Sequence, residues 1–369
     1  MPEDAQRAGP YSLAAIARPG GLAGLAAIGV VVLCICAAFA YVAGWLSPAR
    51  LTPDRIVDTF EQVNGPHPGF RRNHAKGVCF SGYFDSNGQG ARLSRSVVFR
   101  QGRTPVTGRF ALSGGLPFVA DDQKTVRSLA VSFRPPGGEE WRTAMINIPV
   151  FIVSTPQAFH DQLVASRPDP ATGHPDPAAM KAFVASHPET ARAFKMIGAS
   201  PFSSGFADAN YYALNAFRFI DAAGKVTPVR WSLASTEPFV AAGASGPGTD
   251  ANALFDALAA RVGQGALHWR LVVTIGQPGD PTSNAATAWP PDRAHVELGV
   301  VTVDRIEPEA TGNCRDINFD PLVLPTGIAP SDDPLLSMRS AAYSESFTRR
   351  AGEKKPPSAV QAAAASKAG

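Results

Sequence analysis

The chain has little cysteine and little charge, and it lacks the common zinc and nucleotide motifs. Four cysteines in 369 residues are too few for a fold built on disulfides. No zinc-finger spacing, P-loop or GxGxxG before a helical pattern occurs. The net charge of +3 is spread along the chain without a basic block, which predicts no nucleic-acid partner. What is present is a hydrophobic fraction of 45%, typical of a packed globular protein with an added apolar segment.

Two of the cysteines, Cys34 and Cys36, lie in an apolar run near the N-terminus, and the other two are far apart in the chain. A bridge between Cys79 and Cys314 would require an oxidising compartment. Free cysteine is commonly buried as a small apolar side chain. Two buried free thiols are therefore the favoured interpretation, with the bridge as the alternative.

The apolar run near the N-terminus has the length of a membrane span. No side chain from Pro19 to Ala49 is charged, and residues 21–46 are rich in Ala, Val, Leu, Ile and Gly. A helix crosses the hydrocarbon core with about 20 such residues, and Trp45 fits an interfacial anchor. The small-residue pattern at 38–40 leaves a cleaved signal peptide as the alternative, although signal peptides have apolar regions of only about 7–15 residues. We expect an N-terminal flank over 1–20 and an uncleaved transmembrane helix over 21–46.

Basic residues are nearly balanced across this run, with Arg7 and Arg18 before it and Arg50 and Arg55 after it. The positive-inside rule therefore gives almost no indication of orientation. We expect a membrane-anchored protein whose main domain lies in a periplasmic or other extracytoplasmic compartment.

The rest of the sequence alternates between β-rich runs and amphipathic helical patterns. A helix is predicted over 51–63, with Thr52 as its N-cap and Pro53 in its first position. Gly, Pro, Asp or Asn bound eight β-rich runs, at 96–100, 106–112, 126–133, 146–153, 211–220, 226–235, 267–275 and 296–306. Further helices are predicted at 156–166, 177–186, 188–196, 249–262 and 333–350.

This order of elements predicts an α+β fold, an antiparallel β-barrel that carries a helical side. We expect it to form one domain over residues 51–350. The tail over 351–369 combines lysines and prolines with an alanine run, a composition that predicts disorder.

His74 is the first candidate for chemistry. It lies in a segment of basic and small residues, 71–77, that leads into the apolar and aromatic residues from Val78 onward. By itself, a histidine among small and apolar residues is more often a satisfied core residue than a catalytic one.

The last helical pattern combines a cation and a phenol on one apolar stripe. Leu336, Arg339, Tyr343 and Phe347 share a helix face at spacings of three and four residues. An arginine one turn from a phenol can donate to its oxygen and favour the phenolate, the form that a ferric iron binds. From the helix alone, a structural tyrosine bonded to an arginine is the simpler interpretation.

Three arginines of the sequence need an anionic partner that the sequence does not identify. Arg109 lies in the β-rich run 106–112, and a half-buried arginine needs either a carboxylate or a ligand such as a propionate. Arg71 and Arg350 pose the same question.

Taken together, four blocks of the chain resemble the small catalase-related peroxidases of the haem catalase superfamily. In order they are Arg71-x-x-His74-Ala75-Lys76-Gly77 with Gly82-Tyr83-Phe84; Thr104-Pro105-Val106 through Arg109-Phe110; Pro149-Val150-Phe151 with Phe159; and Ile328-x-x-Ser331 through Arg339-x-x-x-Tyr343. The resemblance covers roughly residues 51–350.

The resemblance implies a role for each matched residue. Tyr343 is expected to bind the iron of haem b, with Arg339 as its charge partner. His74 is expected to be the distal acid–base residue, which moves a proton between the two oxygens of the peroxide. The remaining residues are expected to bind the haem propionates or to keep the pocket dry; they are Arg71, Arg109 and Arg350, and Phe151 and Phe159.

The chain also departs from catalases. Catalases pair the distal histidine with an asparagine, at a position where this chain has Ile146 with Asn147 beside it. Neighbouring strand side chains point to opposite faces, so Asn147 cannot replace the amide without a bulge or register shift. Ala111 stands where catalases have the serine that holds the histidine ring, and Asn73 replaces an apolar channel residue. Large catalases have an N-terminal arm and a C-terminal extension that are missing here, which predicts a more open haem and a monomer or dimer.

We therefore expect a haem peroxidase that reduces hydrogen peroxide or organic hydroperoxides, oxidises small organic donors and has weak catalase activity. One alternative is a fatty-acid or lipid hydroperoxide isomerase or reductase, for which a membrane anchor would be suited. The other is a non-catalytic haem-binding module, motivated by Ile146 and Ala111.

Overall fold

A computed structural model describes residues 19–43, 45–46, 50–243, 250–361 and 365–366 of the chain. These residues belong to two units, divided between Thr52 and Pro53. The first contains helix α1 (Pro19–Val42). Within Gly21–Val42 of α1, an 18-residue window has a mean hydropathy of 2.7, and none of that window is buried. The predicted apolar helix is confirmed, and by length and composition it can cross a membrane, a property that an N-terminal signal sequence shares.

The second unit is built on an antiparallel sheet that closes into a barrel. Eight strands pair in a ring, in the order β1-β2-β3-β4-β5-β7-β8-β9 and back to β1, while β6, β10 and β11 extend it. Closure leaves no free edge in the ring, and the predicted antiparallel barrel is confirmed. The strands are β1 (Gly77–Ser86), β2 (Gly102–Leu112), β3 (Arg127–Phe133), β4 (Trp141–Ile146), β5 (Tyr211–Tyr212), β6 (Phe217–Ile220), β7 (Val226–Ser235), β8 (Leu267–Ile275), β9 (His295–Glu307), β10 (Ile328–Pro330) and β11 (Ala365–Ser366).

Aromatic side chains fill the interior of the barrel. In β4, Trp141, Thr143 and Met145 are buried, while Arg142, Ala144 and Ile146 are only partly so, as the two-residue period of a strand requires. The ring of Phe133 stacks on Trp141 with 4.6 Å between centroids, and Trp231 meets Trp141 edge-on at 5.2 Å. The interior is therefore a packed core rather than a binding space.

Helices cover part of the outside of the barrel, as predicted. Five of them begin with proline, whose fixed φ suits the first turn. The side chains of Thr155, Asp176 and Asp333 cap the helices that begin at Pro156, Pro177 and Pro334 by accepting a backbone N–H of the first turn. In this unit the helices are α2 (Pro53–Asn64), α3 (Pro156–Ala165), α4 (Pro177–Ser186), α5 (Pro188–Ala199), α6 (Ala253–Gln264) and α7 (Pro334–Ala351).

The structure differs from the predicted strands in several places. The run 96–100 contains a 3-10 turn, and the run 211–220 is broken into β5 and β6. Of the run 146–153, only Ile146 lies in a strand, as the last residue of β4. Pro149 lacks a backbone N–H and cannot continue the ladder. Strand β1 was not predicted, because its glycines hide the β pattern. A Cβ at Gly82 would collide with the carbonyl oxygen of Thr302, so glycine is required there for strands β1 and β9 to approach.

The segment after α7 is packed against the domain up to residue 361, so the predicted disorder of the tail is wrong for this part. Val360 is fully buried, and Glu353 forms an ion pair with Arg72. Charged and proline-rich composition indicates disorder only where the charges lack partners, and here they have them. The last residues, apart from β11, lie outside the part of the chain that the structure describes.

Cys79 and Cys314 form a disulfide bond, so the favoured prediction of free thiols is wrong for this pair. The bond joins residues 235 positions apart, from β1 to the loop after β9, and no local pattern indicates such a pairing. Cys34 and Cys36 are free and exposed.

The double variant C79S/C314S is expected to have a free energy of unfolding lower by about 2–4 kcal/mol, because the bond constrains the unfolded chain. Denaturant titration of the variant and of the wild type, with and without reductant, measures this loss. C34S/C36S is the matched control and should unfold like the wild type. Equal stability of the two double variants would contradict the prediction.

Candidate active site

A cavity of about 550 Å³ lies against the outer face of the barrel. Ala144 and Ile146 of β4 line it, on the opposite face of the strand from Met145 in the core. Helices α2, α3, α5 and α7 supply most of the other walls, and most of the lining side chains are apolar. Among the residues predicted for the site, the following line this cavity: Arg71, His74, Phe151, Phe159, Arg339, Tyr343 and Arg350.

His74 reaches the cavity from an unusual backbone conformation. Its φ is 55°, a value that residues other than glycine rarely adopt. The backbone is held on both sides, because His74 N donates to Asn73 Oδ1 and Ala75 N donates to the Gly114 carbonyl, both at 3.0 Å. The ring nitrogen Nδ1 lies 3.2 Å from the carbonyl oxygen of Leu112. Since a carbonyl only accepts, Nδ1 carries the proton and Nε2 keeps a free lone pair.

Burial is the main reason that the pKa of His74 is lowered to about 3, and the charge of Arg109 adds to the effect. The imidazole is therefore neutral at physiological pH. A neutral imidazole with a free Nε2 is the form that accepts a proton from a substrate.

This lowered pKa predicts a pH dependence of stability. The unfolded histidine has a pKa of 6.5 and the folded one a pKa of about 3, so the unfolded state binds more protons between these values. The free energy of unfolding should therefore fall as the pH drops from about 6.5 toward about 3. His74→Asn removes the titrating group and should flatten this part of the curve, as measured by denaturant titration at each pH. An unchanged slope in the variant would contradict the prediction.

Tyr343 and Arg339 lie one turn apart on α7, with the guanidinium carbon 6.0 Å from the centre of the phenol ring. Other elements hold Arg339 in place, because Nη1 donates to Asn215 Oδ1 at 2.5 Å and Nη2 donates to the Ala144 carbonyl at 3.3 Å. Asn215 Nδ2 in turn donates at 2.8 Å to Asp333, the residue that caps α7. This chain of hydrogen bonds keeps the cation beside Tyr343.

Arg71 and Arg350 line the cavity, and each keeps a buried donor without a partner among the described residues. Arg71 Nη2 donates to the carbonyls of Cys314, Arg315 and Ile317 at 3.2, 3.3 and 3.0 Å, and Arg350 Nη1 donates to Arg315 O at 2.6 Å. Arg71 Nε and Arg350 Nη2 are buried and have no hydrogen-bond partner within the described part of the chain. Burial lowers the pKa of Arg71 to about 9, and the neighbouring arginines contribute. Buried donors of this kind call for an anion.

Arg109 was predicted to bind a propionate, but the structure pairs it with a carboxylate of the protein. Its Nε and Nη2 donate to Glu309 at 2.8 and 3.0 Å. Arg109 is also not among the described side chains that line the cavity. Of the two anions that the sequence left open for this arginine, the structure shows the carboxylate. Sequence reasoning missed Glu309, which stands in a loop without a motif.

Aromatic rings form one wall of the cavity. Phe151 and Phe159 lie with 5.7 Å between ring centroids, and Phe159 meets Phe60 of α2 at 5.9 Å. The backbone N–H of Phe151 donates to the Ala285 carbonyl at 2.9 Å, which fastens the segment after β4 to the loop between β8 and β9. The two predicted phenylalanines are thus together, in a wall that repels water.

The structure shows what the residues that differ from those of catalases contact. Ile146 lines the cavity, and Asn147 instead accepts a hydrogen bond from the backbone N–H of Arg127 at 2.7 Å. Asn73 does line the cavity, but its Oδ1 accepts two backbone N–H bonds at 3.0 Å. With alanine in place of the expected serine, the backbone carbonyl of Leu112 orients the His74 ring.

Like Glu309, the residues Asn215 and Asp333, which hold Arg339 in place, were not found from the sequence. From the sequence, Asp333 was only the first residue of the helix predicted over 333–350. Asn215 follows Leu214, a residue with φ of 64° at the break between β5 and β6. A positive-φ position is invisible in the sequence when it is not occupied by glycine or asparagine.

The chain matches the family model for catalase over residues 48–362. It is 36% identical to a catalase-related peroxidase of Synechococcus elongatus over 301 residues, which are 81% of this chain and 89% of the relative. It is 32% identical to a catalase-related peroxidase of Mycolicibacterium paratuberculosis over 305 residues, which are 82% of this chain and 96% of the relative.

Solved catalase structures share the fold. Catalase A of Saccharomyces cerevisiae superposes with a TM-score of 0.67 and 18% identity, over 80% of this chain and 64% of the yeast chain. A bacterial catalase gives a TM-score of 0.68 and 19% identity, over 78% and 58% of the two chains. This chain thus spans about three fifths of the length of those catalases. The family model and the two relatives make the protein a peroxide-acting oxidoreductase. The chain belongs to the catalase family.

Proposed function

We infer that the cavity holds haem b and that the protein is a peroxidase, which reduces hydrogen peroxide or organic hydroperoxides and oxidises small organic donors. The observation that carries this proposal is the group of side chains that line one cavity. They are a phenol beside a fixed arginine, a neutral histidine, and two arginines with unpaired donors.

The residues fit haem b in three respects. The unpaired donors of Arg71 and Arg350 suit its carboxylates. The apolar lining and the ring wall of Phe151 and Phe159 suit a flat macrocycle. The phenol of Tyr343 is an iron ligand type known in haem proteins, and the Arg339 guanidinium lies beside its ring.

When bound, haem supplies a ferric iron that activates the peroxide and carries the redox change. His74 Nε2 takes the proton of the incoming peroxide and returns it to the departing oxygen. Arg339, held by Asn215, keeps a positive charge beside the Tyr343 ring. Phe151 and Phe159 exclude water from the reacting oxygens.

Weak catalase activity is part of the proposal, because Ile146 presents no hydrogen-bond donor where catalases have an amide. Dismutation needs a second hydrogen peroxide to be held and oxidised at the same place. We expect donor oxidation by the wild type to exceed oxygen evolution, as compared in parallel assays with a phenolic donor and an oxygen electrode. An oxygen-evolution rate equal to that of true catalases would contradict this part of the proposal.

The deciding experiment supplies haem to the full chain in detergent and records absorption before and after one equivalent of peroxide. The expected result is stoichiometric haem with a phenolate-type high-spin spectrum, which peroxide converts to a new spectrum and a phenolic donor restores. A phenolate spectrum that peroxide only bleaches would favour a haem-binding module without turnover. Failure to bind stoichiometric haem would overturn the proposal.

A lipid hydroperoxide is the second candidate substrate, and the apolar walls favour it. Ile56, Val57 and Phe60 of α2 line the cavity together with Phe194 of α5, whose side chain is 42% exposed. Apolar lining therefore continues to the surface. Product analysis with a fatty-acid hydroperoxide separates a reductase, which yields the alcohol, from an isomerase, which keeps both oxygens.

We also propose that α1 anchors the protein in a membrane and that the second unit lies outside the cytoplasm. The disulfide Cys79–Cys314 supports an oxidising compartment, since such bonds are rare in the cytosol. A C-terminal alkaline phosphatase fusion should be active if this placement holds, and it should remain with the membrane fraction if α1 is not cleaved.

A further inference from the structure

We propose that exposed apolar side chains around the mouth of the cavity dock on the lipid surface, and that the cavity takes acyl-chain hydroperoxides directly from the bilayer. The proposal rests on the proposed function, because it needs α1 as a membrane anchor and a lipid hydroperoxide as the substrate. Reduction of such a hydroperoxide breaks its O–O bond and gives an alcohol and water, with two electrons and two protons from the organic donor.

Two exposed side chains mark where the cavity opens. Ser113, in the loop after β2, and Phe194, on α5, line the cavity and are exposed, whereas the other described lining residues are buried or half-buried. Ile197, one turn further along α5, also lines the cavity. The mouth therefore lies at these two segments, and its α5 side is apolar.

Exposed apolar side chains are concentrated on segments that also line the cavity. In the described part of the second unit, nine large apolar side chains are exposed, and six of them lie on the loop after β2, on α3 or on α5. Val164 follows Leu163, and Met196 precedes Ile197, so each adjoins a lining residue. Apolar side chains beside an opening mark an interaction site. We refer to these six side chains as the apolar rim; they are Leu116, Phe118, Val119, Val164, Phe194 and Met196.

The charged side chains of α5 suit a lipid surface with anionic headgroups. Arg192 and Lys195 are exposed on this helix, on either side of the exposed Phe194 in the sequence. The acidic residue of α5, Glu189, lies in its first turn and accepts a hydrogen bond from Ser154 Oγ at 3.4 Å. Basic and apolar side chains together on a surface helix are typical of helices that lie in the membrane interface.

The chain itself keeps the second unit close to the membrane that α1 crosses. Ten residues separate the end of α1 at Val42 from the start of α2 at Pro53, and they reach at most about 40 Å. Helix α2 in turn lines the cavity with Ile56, Val57 and Phe60. A tether of this length makes docking an intramolecular event at high effective concentration, so a small apolar rim is sufficient.

An acyl chain fits this surface better than a protein partner does. A protein would cover the apolar rim but leave the apolar lining behind it unused. An acyl chain that leaves the bilayer at the rim meets apolar side chains from Phe194 inward to Phe60, and its hydroperoxide group enters the cavity that His74 lines. Hydrogen peroxide, by contrast, needs no apolar passage.

Fluorescence quenching by lipids tests the docking without haem. The full chain carries C34S/C36S, so that a bimane label attaches only at F194C, and it is reconstituted in vesicles of phosphatidylcholine and phosphatidylglycerol that contain a doxyl-labelled lipid. We expect loss of bimane fluorescence at position 194. V226C is the matched control, because Val226 is 52% exposed and lies on β7, outside the apolar rim, and a label there should keep its fluorescence. Equal quenching at the two positions, or none at position 194, would overturn the proposal.

A comparison of two substrates tests the route into the cavity. L116E/M196E places two acidic side chains in the apolar rim, at positions that do not line the cavity. The ratio of the rate with a phosphatidylcholine hydroperoxide in the same vesicles to the rate with hydrogen peroxide should fall about tenfold or more, because an anionic lipid surface repels both side chains. V226E should keep the ratio of the wild type. An unchanged ratio in L116E/M196E contradicts the proposal.

Flotation of the vesicles separates the possible failures. A chain that does not float with the vesicles lacks the α1 anchor, which overturns that part of the proposed function and this proposal together. A chain that floats while the label at position 194 is not quenched overturns the docking alone. A chain that floats and is quenched at position 194 but binds no haem supports the docking and overturns the haem function, and with it the uptake of hydroperoxides.

Discussion

Tyr343→Phe is expected to abolish the phenolate-type spectrum of the haem-loaded protein and to reduce peroxidase activity by more than about 100-fold. Loss of a group that only supports a metal ligand costs about 10–100-fold, and loss of the ligand itself should exceed that. The substitution removes one oxygen and keeps the ring, so the apolar packing of α7 is retained. Absorption spectra and steady-state oxidation of a phenolic donor measure the two effects.

Tyr212 provides the matched control, because it is a second phenol in the lining of the same cavity. It lies on strand β5, where it pairs with Ile146, and no arginine lies three or four residues from it in the sequence. Y212F should keep the spectrum of the wild type. If Y212F loses the phenolate band and Y343F keeps it, the ligand has been placed on the wrong tyrosine.

Positions in the fold that depend on local spacing were predicted well from the sequence. Arg339 and Tyr343 are four residues apart, and a helix places them on one face whatever surrounds it. Strands β7 and β8 begin and end where the alternating pattern does, at 226–235 and 267–275. Proline at the first helical position set the starts of α3, α4 and α5 for the same local reason.

Features that depend on distant partners were not predictable. Arg109 is 200 positions from Glu309, and Arg339 is 124 positions from Asn215. A sequence shows that a buried arginine needs an anion, but only the fold decides which one it meets. The resemblance to the catalase family placed Arg109 among the propionate ligands, and it could not foresee a glutamate in a loop that the family pattern does not constrain.

The same loop shows why the errors at the site are connected. Glu309, the carbonyls that orient Arg71 and Arg350, and Cys314 lie within nine residues of one another. The disulfide joins this loop to β1, where Cys79 pairs with Arg109 of β2. A prediction that leaves the two cysteines free also leaves this loop unplaced, and with it the partners of all three arginines.

His74→Asn is expected to lower the rate constant for reaction with peroxide by about 10²–10⁴-fold, the contribution of a positioned acid–base group. Asparagine tolerates the positive φ of His74 better than most residues, so the local backbone should be kept. The haem spectrum before peroxide should stay that of the wild type, because Tyr343 is untouched. Stopped-flow absorption gives the rate constant directly.

His160 is the control histidine for this measurement. It is buried, and its ring Nδ1 lies 3.1 Å from Asp161, away from the described lining of the cavity. H160N should react with peroxide at the rate of the wild type. The pKa of about 3 for His74 adds a second signature, since the imidazole stays neutral from physiological pH down to mildly acidic conditions. The wild-type rate constant should therefore be level over that range, and a decline centred near the ordinary histidine value of about 6.5 would show that His74 is not the proton acceptor.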